Sequence, residues 1–285
     1  MRRLTRALVA VAAVAALVVG SAALALEHLL LPDPDGEVLT FVLLGGDEGP
    51  PRGGDVRRAR ADGYQLLFVS GDRQHATFVS IPRDAYVSIP GRGQTRIGHC
   101  LVSGVDACVA TAEQEFGLEV DGYLLTGMES FKQAVHAFGG LRVDVPTPLR
   151  DGGAAIPQTG EQPLTGSQAL TYARDRKNRS GGDIQRTQAQ AELLAIGHER
   201  VASRGGVRDV IDAVTVLRRH TFTDLSGPEL TRLGFEAMHL PPENVQRTHA
   251  TGSGAMIGGA SMYRLDQQAY DRIADAAQDG RLGTR

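Results

Sequence analysis

The segment from Val38 to Leu44 constrains the fold of this chain more than any other. It is almost continuously apolar, contains β-branched residues, and is closed by Gly45 and Gly46. A run of this kind predicts a strand that is buried on both faces. Such a strand needs packing partners above and below it, so we expect a layered α/β arrangement.

Strand and helix patterns alternate along the rest of the chain. Tyr64 to Ser70 and His75 to Ile81 predict a hairpin, with Gly71-Asp72-Arg73 at its turn. Further strands are expected at Gly122–Leu125, at Leu141–Val145, near Val245 and at Met262–Leu265. Helices are expected at Ala107–Phe116, Phe131–Phe138, Ser167–Tyr172, Asp183–Ser203, Val207–Arg219, Pro228–Met238 and Asp266–Ala277. The fold prediction is therefore an α/β protein with a central mixed β-sheet covered by helices on both sides.

The N-terminus predicts a transmembrane helix. Residues 1–6 contain three arginines, and residues 7–26 carry no charge. About 20 apolar residues span a bilayer, and basic residues before a span keep that end in the cytoplasm. A cleaved signal peptide stays open as the alternative, because Ala23 and Ala25 fit a cleavage site. Both interpretations export the remainder of the chain.

The predicted organisation follows from this N-terminus. Residues 1–6 are a cytoplasmic basic region, residues 7–26 a signal anchor, residues 27–37 a linker and residues 38–285 an extracytoplasmic catalytic domain. The expected location is the cell membrane, with a single pass. The net charge of −3 gives no indication of nucleic-acid binding.

Cys100 and Cys108 are the two cysteines of the chain. In an exported protein such a pair is a candidate disulfide. Two buried thiols remain the alternative at this stage. Two cysteines do not supply a zinc ligand set, even with His99 beside Cys100.

Acidic and basic side chains occur where the predicted strands begin and end. Asp47 follows the first strand, and Arg60 and Asp62 lie just before the second, at the end of a loop. Arg83 follows the third strand, after Pro82. Arginine suits phosphate, aspartate suits a divalent cation, and α/β proteins bind ligands beyond strand ends. Taken singly, each of these residues is also consistent with an ordinary turn or a surface ion pair.

Four polar side chains in the second half of the chain extend this pattern. Arg174 and Arg176 follow the predicted end of a helix near Tyr172, and on an extended segment they would share one face. Arg186 and Gln190 are four residues apart on a predicted helix, so they also share a face. Together these residues favour an anion site.

A predicted helix start beside these residues, and the motifs that the chain lacks, indicate the type of chemistry. Asp183 opens the helix of Arg186 and is predicted to cap it, and a helix start adds a positive end to an anion site. The chain has no Gly-x-Ser-x-Gly elbow and no glycine-rich phosphate loop with its lysine. The predicted site therefore works by charge and metal rather than by a covalent nucleophile.

Three strings in this order resemble the LytR-CpsA-Psr family of bacterial cell-wall enzymes. They are Ser80–Val87, Phe131–Pro146 and Leu164–Arg176, and the resemblance covers roughly Val38 to Val201. The chain departs from the family pattern at Gly98, where Asn is common, and at Ala189, which replaces an Arg.

The resemblance implies a membrane-anchored phosphotransferase. Such an enzyme moves a glycopolymer phosphate from a polyprenyl-pyrophosphate carrier, whose lipid lies in an apolar channel, to a hydroxyl of peptidoglycan. Magnesium is the expected cofactor, with manganese as a substitute, and the cytoplasmic membrane is a further expected partner. A hydrolase with the same site and a non-catalytic lipid-glycan binder remain the alternatives.

By motif match, Asp47 and Asp62 are the expected metal ligands. Asp62 and Arg83 are the expected catalytic residues, with Asp62 as the candidate base. The residues expected to hold the pyrophosphate are Arg60, Arg83, Arg174, Arg176, Arg186 and Gln190.

Overall fold

The computed structural model describes residues 36–47, 55–149, 153–176, 178, 182–203 and 206–283. The predicted span at residues 7–26 and most of the predicted linker lie outside these residues. Within them, no helix combines the length and apolar character needed to cross a bilayer.

The described residues form an α/β fold. The strands are β1 (Leu39–Asp47), β2 (Arg60–Val69), β3 (Ala76–Ser80), β4 (Tyr86–Ile89), β5 (Gly93–Arg96), β6 (Gly122–Gly127), β7 (Leu141–Val145), β8 (Gly160–Leu164), β9 (Phe222–Thr223), β10 (Val245–His249), β11 (Gly252–Ile257) and β12 (Ala260–Leu265). The α-helices are α1 (Val105–Phe116), α2 (Met128–Ala137), α3 (Gly166–Arg174), α4 (Gly182–Ala202), α5 (Val207–His220), α6 (Gly227–His239) and α7 (Gln267–Asp279). Short 3₁₀ segments cover Val56–Arg58, Ile97–Ser103 and Pro242–Asn244.

The central sheet has six strands in the order β10-β3-β2-β1-β6-β9. β2 runs antiparallel to both β1 and β3, and β9 runs antiparallel to β6. β1 is parallel to β6, and β3 is parallel to β10. The predicted mixed sheet is confirmed.

Helices cover this sheet on both faces, as two neighbouring residues of β2 demonstrate. The hydroxyl of Tyr64 donates a 2.8 Å hydrogen bond to the carbonyl of Cys108 on α1. The amide of Gln65 donates a 3.3 Å hydrogen bond to the carbonyl of Thr187 on α4. Because successive residues of a strand point to opposite faces, α1 and α4 lie on opposite sides of the sheet. The main apolar core lies on the α1 side and also includes residues of α7.

The predicted helices are all present within a few residues of their expected ends. The sequence patterns did not reveal the hairpin of β4 and β5 or the pairing of β8 with β7. β5 and β8 consist mostly of polar and exposed residues, and β4 has only four residues, so no pattern of sufficient length marks these strands.

The two cysteines form a disulfide, with an S–S distance of 2.02 Å. Cys100 lies in the segment Ile97–Ser103, and Cys108 lies on α1. The disulfide prediction is confirmed, and the bond ties this segment to the helix beside it.

Candidate functional site

One end of the central sheet collects the charged residues that follow or precede its strands. Because β2 is antiparallel to β1 and β3, the start of β2 lies beside the ends of both neighbours. Asp47 ends β1, Arg60 begins β2, and Arg83 follows β3 by three residues. The topology therefore brings these predicted site residues together at one end of the sheet, as expected.

A β-bulge gives Asp62 its position. Gly45 pairs with Gly63, whereas Gly46 pairs with Ala61, so Asp62 is the additional residue on β2. Bulges redirect side chains and are common beside active sites. The expectation that Arg60 and Asp62 precede the second strand in a loop was wrong. Backbone pairing with β1 extends β2 to Arg60 although its first residues lack a strand pattern.

Each of the two predicted metal-binding aspartates lies beside a different arginine. Nη1 of Arg83 donates a 2.6 Å hydrogen bond to Oδ1 of Asp62, and both side chains are about one-fifth exposed. Nη2 of Arg60 donates a 3.0 Å hydrogen bond to Oδ2 of Asp47, and Arg60 is largely exposed. Burial opposes the charge of Arg83, but the hydrogen bond and charge of Asp62 raise the pKa of its guanidinium above the usual value.

Gly98 packs closely against the backbone of Arg83. The backbone N–H of Gly98 donates a 2.9 Å hydrogen bond to the carbonyl of Arg83. A Cβ atom at this position would lie 2.8 Å from the carbonyl oxygen of Ala61 and 3.1 Å from that of Arg83. The departure from the family pattern at this position thus has a structural reason, because the backbones on either side leave no room for a side chain.

Asp183 of α4 is the centre of an arginine cluster. Its Oδ1 lies 2.9 Å from Nη2 of Arg186, 3.4 Å from Nε of Arg176 and 3.8 Å from Nε of Arg83. The arginines come from three parts of the chain, namely the end of β3, the loop after α3 and the first turns of α4. Three guanidinium groups around one carboxylate oxygen gather many N–H donors in one place, which suits an anionic ligand.

Arg186 is the buried member of this cluster, with only 4% of its side chain exposed. Burial lowers the pKa of its guanidinium, Asp183 opposes that shift, and the charge of Arg83 adds to it. Nη2 of Arg186 also donates a 3.4 Å hydrogen bond to the carbonyl of Asp62. The helix is thereby connected to the bulge of β2.

Gln190 makes the second connection between α4 and β2. Its Nε2 lies 3.5 Å from the carbonyl of Asp62 and 3.3 Å from that of Ala173 on α3. A Cβ atom at Gly63 would lie 3.0 Å from Oε1 of Gln190. The glycine at the bulge therefore leaves room for the Gln190 amide. Arg186 and Gln190 therefore share one helix face directed at the sheet end, as their spacing predicts.

Arg174 and Arg176 differ in their environments. The helix expected to end near Tyr172 continues to Arg174, which is exposed and forms no ion pair with any other residue the structure describes. Arg176 lies beyond the helix end and contacts Asp183. The helix thus ends two residues beyond its expected end, which places Arg174 on the helix and only Arg176 on the extended segment.

The metal prediction concerns Asp47 and Asp62, which lie on adjacent strands. Among the residues described, no group of three or more His, Cys, Asp or Glu side chains converges as a metal cage. Magnesium typically binds through one or two carboxylates and takes its other ligands from substrate phosphates and water. Two carboxylates are enough for a magnesium site of this kind, and magnesium stays a prediction.

An apolar surface lies on the α4 side of the sheet. Leu43 pairs with Leu124 of β6 and with Gln65 of β2, and Leu67 is two residues from Gln65. These three leucines share the face of Gln65, and each is only half-buried. The opposite face differs, because Val42, Leu44 and Leu66 there are buried. The helices on the α4 side thus leave apolar side chains accessible beneath them.

Sequence reasoning missed two features of this site. It treated Asp183 only as a helix cap, whereas its carboxylate faces three arginines. The spacing of three residues between Asp183 and Arg186 on one helix was the available signal. The role of Gly98 had no signal in the sequence, because it depends on the approach of Ala61 and Arg83.

The fold and the site define a class of protein. It is an α/β domain whose sheet end carries clustered arginines and two aspartates and whose sheet has accessible leucines on the α4 side, and this combination suits an amphiphilic phosphate ligand. A sequence profile of the LytR_cpsA_psr family matches residues 27–279. The chain belongs to this family.

Two relatives illustrate the similarity in sequence. The chain is 31% identical over 244 residues to the polyisoprenyl-teichoic acid–peptidoglycan teichoic acid transferase TagU of Oceanobacillus iheyensis, covering 83% of this chain and 74% of that protein. It is 28% identical over 255 residues to the polyisoprenyl-teichoic acid–peptidoglycan teichoic acid transferase TagT of Bacillus subtilis. That alignment covers 87% of this chain and 78% of TagT.

Solved structures have the same fold. Bacillus subtilis TagV superposes with a TM-score of 0.74 at 22% identity, covering 85% of this chain and 96% of that one. TagT bound to LI-WTA superposes with a TM-score of 0.70 at 26% identity, covering 86% and 91% respectively.

Proposed function

We propose that this chain is a phosphotransferase that moves a glycopolymer from a polyprenyl-pyrophosphate carrier to a hydroxyl of peptidoglycan. Its relatives are named as transferases that attach teichoic acid to peptidoglycan. The observation that carries the proposal is the convergence of Arg83, Arg176 and Arg186 on one carboxylate beside the Asp62–Arg83 pair. This end of the sheet thus brings together the guanidinium groups that bind a pyrophosphate.

The arginines bind and neutralise the pyrophosphate. The acceptor hydroxyl attacks the phosphorus that carries the glycan, a new P–O bond forms, and the P–O bond to the polyprenyl phosphate breaks. Asp62 takes the proton of the attacking hydroxyl, and Arg83, hydrogen-bonded to Asp62, stabilises the charge on the phosphoryl oxygens. Arg186 is buried and held by Asp183, so it is positioned before the substrate arrives.

Asp47 and Asp62 would hold a magnesium ion, which manganese could replace. When bound, the ion would neutralise charge on the pyrophosphate oxygens and on the leaving phosphate. The two carboxylates now lie beside Arg60 and Arg83, so these guanidinium groups balance their charge in the structure.

The half-buried leucines on the α4 side would accept the polyprenyl chain. Leu43, Leu67 and Leu124 provide an apolar surface beneath the helices on the face that also carries Gln65. A lipid chain lying there would remove these side chains from water.

We also propose that the domain lies outside the cytoplasmic membrane, anchored by residues 7–26. The support is the uncharged length of that segment and the arginines before it. Protease added to intact spheroplasts should digest the domain and leave a small membrane-bound fragment. Full protection of the domain would contradict this topology.

The test of function is a product assay with the full-length protein and a lipid-linked glycopolymer. With peptidoglycan present, we expect glycopolymer to become covalently attached to the wall acceptor while polyprenyl phosphate is released. Release of free glycopolymer with no attachment would identify a hydrolase instead. Binding of the donor without turnover would identify a non-catalytic lipid-glycan binder.

A further inference from the structure

A second cleft, of about 720 Å³, lies on another face of α4 from the arginine cluster. This volume is within the range of roughly 300–1,000 Å³ that is typical of small-molecule sites. Polar side chains contributed by four elements line much of it, namely Asp144, Tyr172, Gln188, Glu192, Arg247 and His249. None of these residues belongs to the predicted pyrophosphate site.

The cleft lies at the same end of the sheet as the arginine cluster. His249 ends β10 and pairs in register with Ser80, which ends β3 three residues before Arg83. Asn178 also lines the cleft, and it belongs to the loop between Arg176 and Asp183. A ligand in the cleft therefore lies near the residues that would hold the pyrophosphate.

The polar groups of the cleft are held in place by one another. The hydroxyl of Tyr172 donates a 2.8 Å hydrogen bond to Oε2 of Glu192. Nε2 of Gln188 lies 3.0 Å from Nδ1 of His249. Groups that are already positioned lose less conformational entropy when a ligand binds.

The charge of the cleft distinguishes it from the arginine cluster. Its lining contains two carboxylates, Asp144 and Glu192, and one guanidinium, Arg247. Burial lowers the pKa of His249, and the charge of Arg272 adds to this shift, so the ring is neutral near neutral pH. Carboxylates disfavour a phosphate-rich polymer, whereas carboxylate, amide and guanidinium groups all hydrogen-bond to sugar hydroxyls.

We propose that this cleft binds the glycan strand of the peptidoglycan acceptor and directs one of its hydroxyls toward the pyrophosphate. The proposal rests on the proposed transferase function and assigns a place to its second substrate. The sugars of the donor polymer carry the same kind of hydroxyl groups, so they are the alternative ligand of this cleft. The experiment distinguishes acceptor sugars from donor sugars.

The test uses the full-length protein and the double variant Gln188→Ala/Arg247→Ala. Both side chains are exposed, so their removal is compatible with folding. Initial transfer rates are measured against the concentration of soluble, uncross-linked peptidoglycan glycan strands. We expect the KM for these strands to rise roughly tenfold, because two hydrogen-bonding groups are lost, while the Kd for the lipid-linked donor stays within about twofold of wild type.

Glu119→Gln is the matched control. Glu119 is exposed and lines a separate cleft near Gly36 and the start of β1, at the opposite end of the sheet. This variant should behave as wild type. An unchanged KM in the double variant would overturn the proposal. A raised donor Kd with an unchanged KM would assign the cleft to donor sugars and overturn it as well.

A direct titration separates failure of this proposal from failure of the proposed function. Glycan strands are titrated into the wild type and the double variant without donor, with binding followed by calorimetry. Weaker binding to the variant supports the cleft even if no transfer is detected. Equal binding to both proteins, or no binding to either, contradicts it.

Discussion

The hydroxyl of Ser80 donates a 2.6 Å hydrogen bond to Oε1 of Gln65 inside the central sheet. The two residues are register partners on β3 and β2, and both are buried. Nε2 of Gln65 continues the connection to the carbonyl of Thr187 on α4. One buried amide thus holds the helix that carries Asp183, Arg186 and Gln190 at a defined place on the sheet.

Replacing this amide should loosen the helix and the site together. Gln65→Leu removes the hydrogen bonds that the Gln65 amide forms with the Thr187 carbonyl and the Ser80 hydroxyl. We expect this loss to lower the free energy of unfolding by about 2 kcal/mol. Transfer should fall several-fold because Arg186 loses its fixed position. Urea unfolding and initial rates check this. Gln133→Leu, on an exposed surface of α2, is the control, and equal effects of the two changes would contradict the argument.

Removing one arginine of the predicted pyrophosphate site should slow transfer without unfolding the protein. For Arg83→Ala or Arg174→Ala we expect a loss of about 2–4 kcal/mol of transition-state stabilisation, by analogy with the loss of one oxyanion donor. The transfer rate should therefore fall at least tenfold. Arg142→Ala is the control, since Arg142 forms an exposed pair with Glu161 away from the cluster. Wild-type rates in both Arg83→Ala and Arg174→Ala would place the site elsewhere.

The two aspartates should control the metal dependence. We expect turnover to require magnesium or manganese. Asp47→Asn and Asp62→Asn should each lower the rate and weaken its dependence on the metal, because each removes one anionic ligand. Rates measured across a magnesium titration test this. Asp106→Asn, an exposed change on α1, should leave the titration curve unchanged. Full activity in the presence of a chelator would contradict the metal prediction.

A side chain at position 98 should disturb both stability and activity. The Cβ of Gly98→Ala would lie 2.8 Å from the carbonyl of Ala61, and overpacking of this kind costs about 1–3 kcal/mol. Transfer should also fall, because the displaced backbone carries Arg83. Gly197→Ala is the matched control, since a Cβ there meets no atom within 4 Å. That helical site should gain about 0.4–1 kcal/mol of stability. Full stability and activity in Gly98→Ala would refute the packing argument.

Acid should weaken the packing of α4 against α6 through His198. Nε2 of His198 lies 2.9 Å from the carbonyl of Ala237, and burial lowers the pKa of the imidazole. The unfolded chain therefore binds more protons than the folded one below the ordinary histidine pKa of about 6.5. The free energy of unfolding should fall as the pH decreases from 7 to 5. In His198→Gln this fall should be smaller, and an identical pH dependence in urea unfolding would contradict the assignment.

Local patterns in the sequence were sufficient for the main elements. The apolar run before Gly45 and Gly46 is β1, and the apolar spacing of Phe131, Val135 and Phe138 follows α2 and its C-terminal cap. The family prediction is confirmed by the profile match over residues 27–279. These features depend on residues close to one another in the chain, so they could be read without the tertiary structure.

The sequence by itself determined the main strands and helices, their order, and which arginines and aspartates stand near their ends. Only the tertiary structure decided how those residues meet. The bulge at Asp62 arises from pairing with β1, and the contacts of Asp183 require the end of β3 to approach the start of α4. Such contacts join residues far apart in the chain, and their geometry is set by strand register and helix packing, which local spacing does not encode.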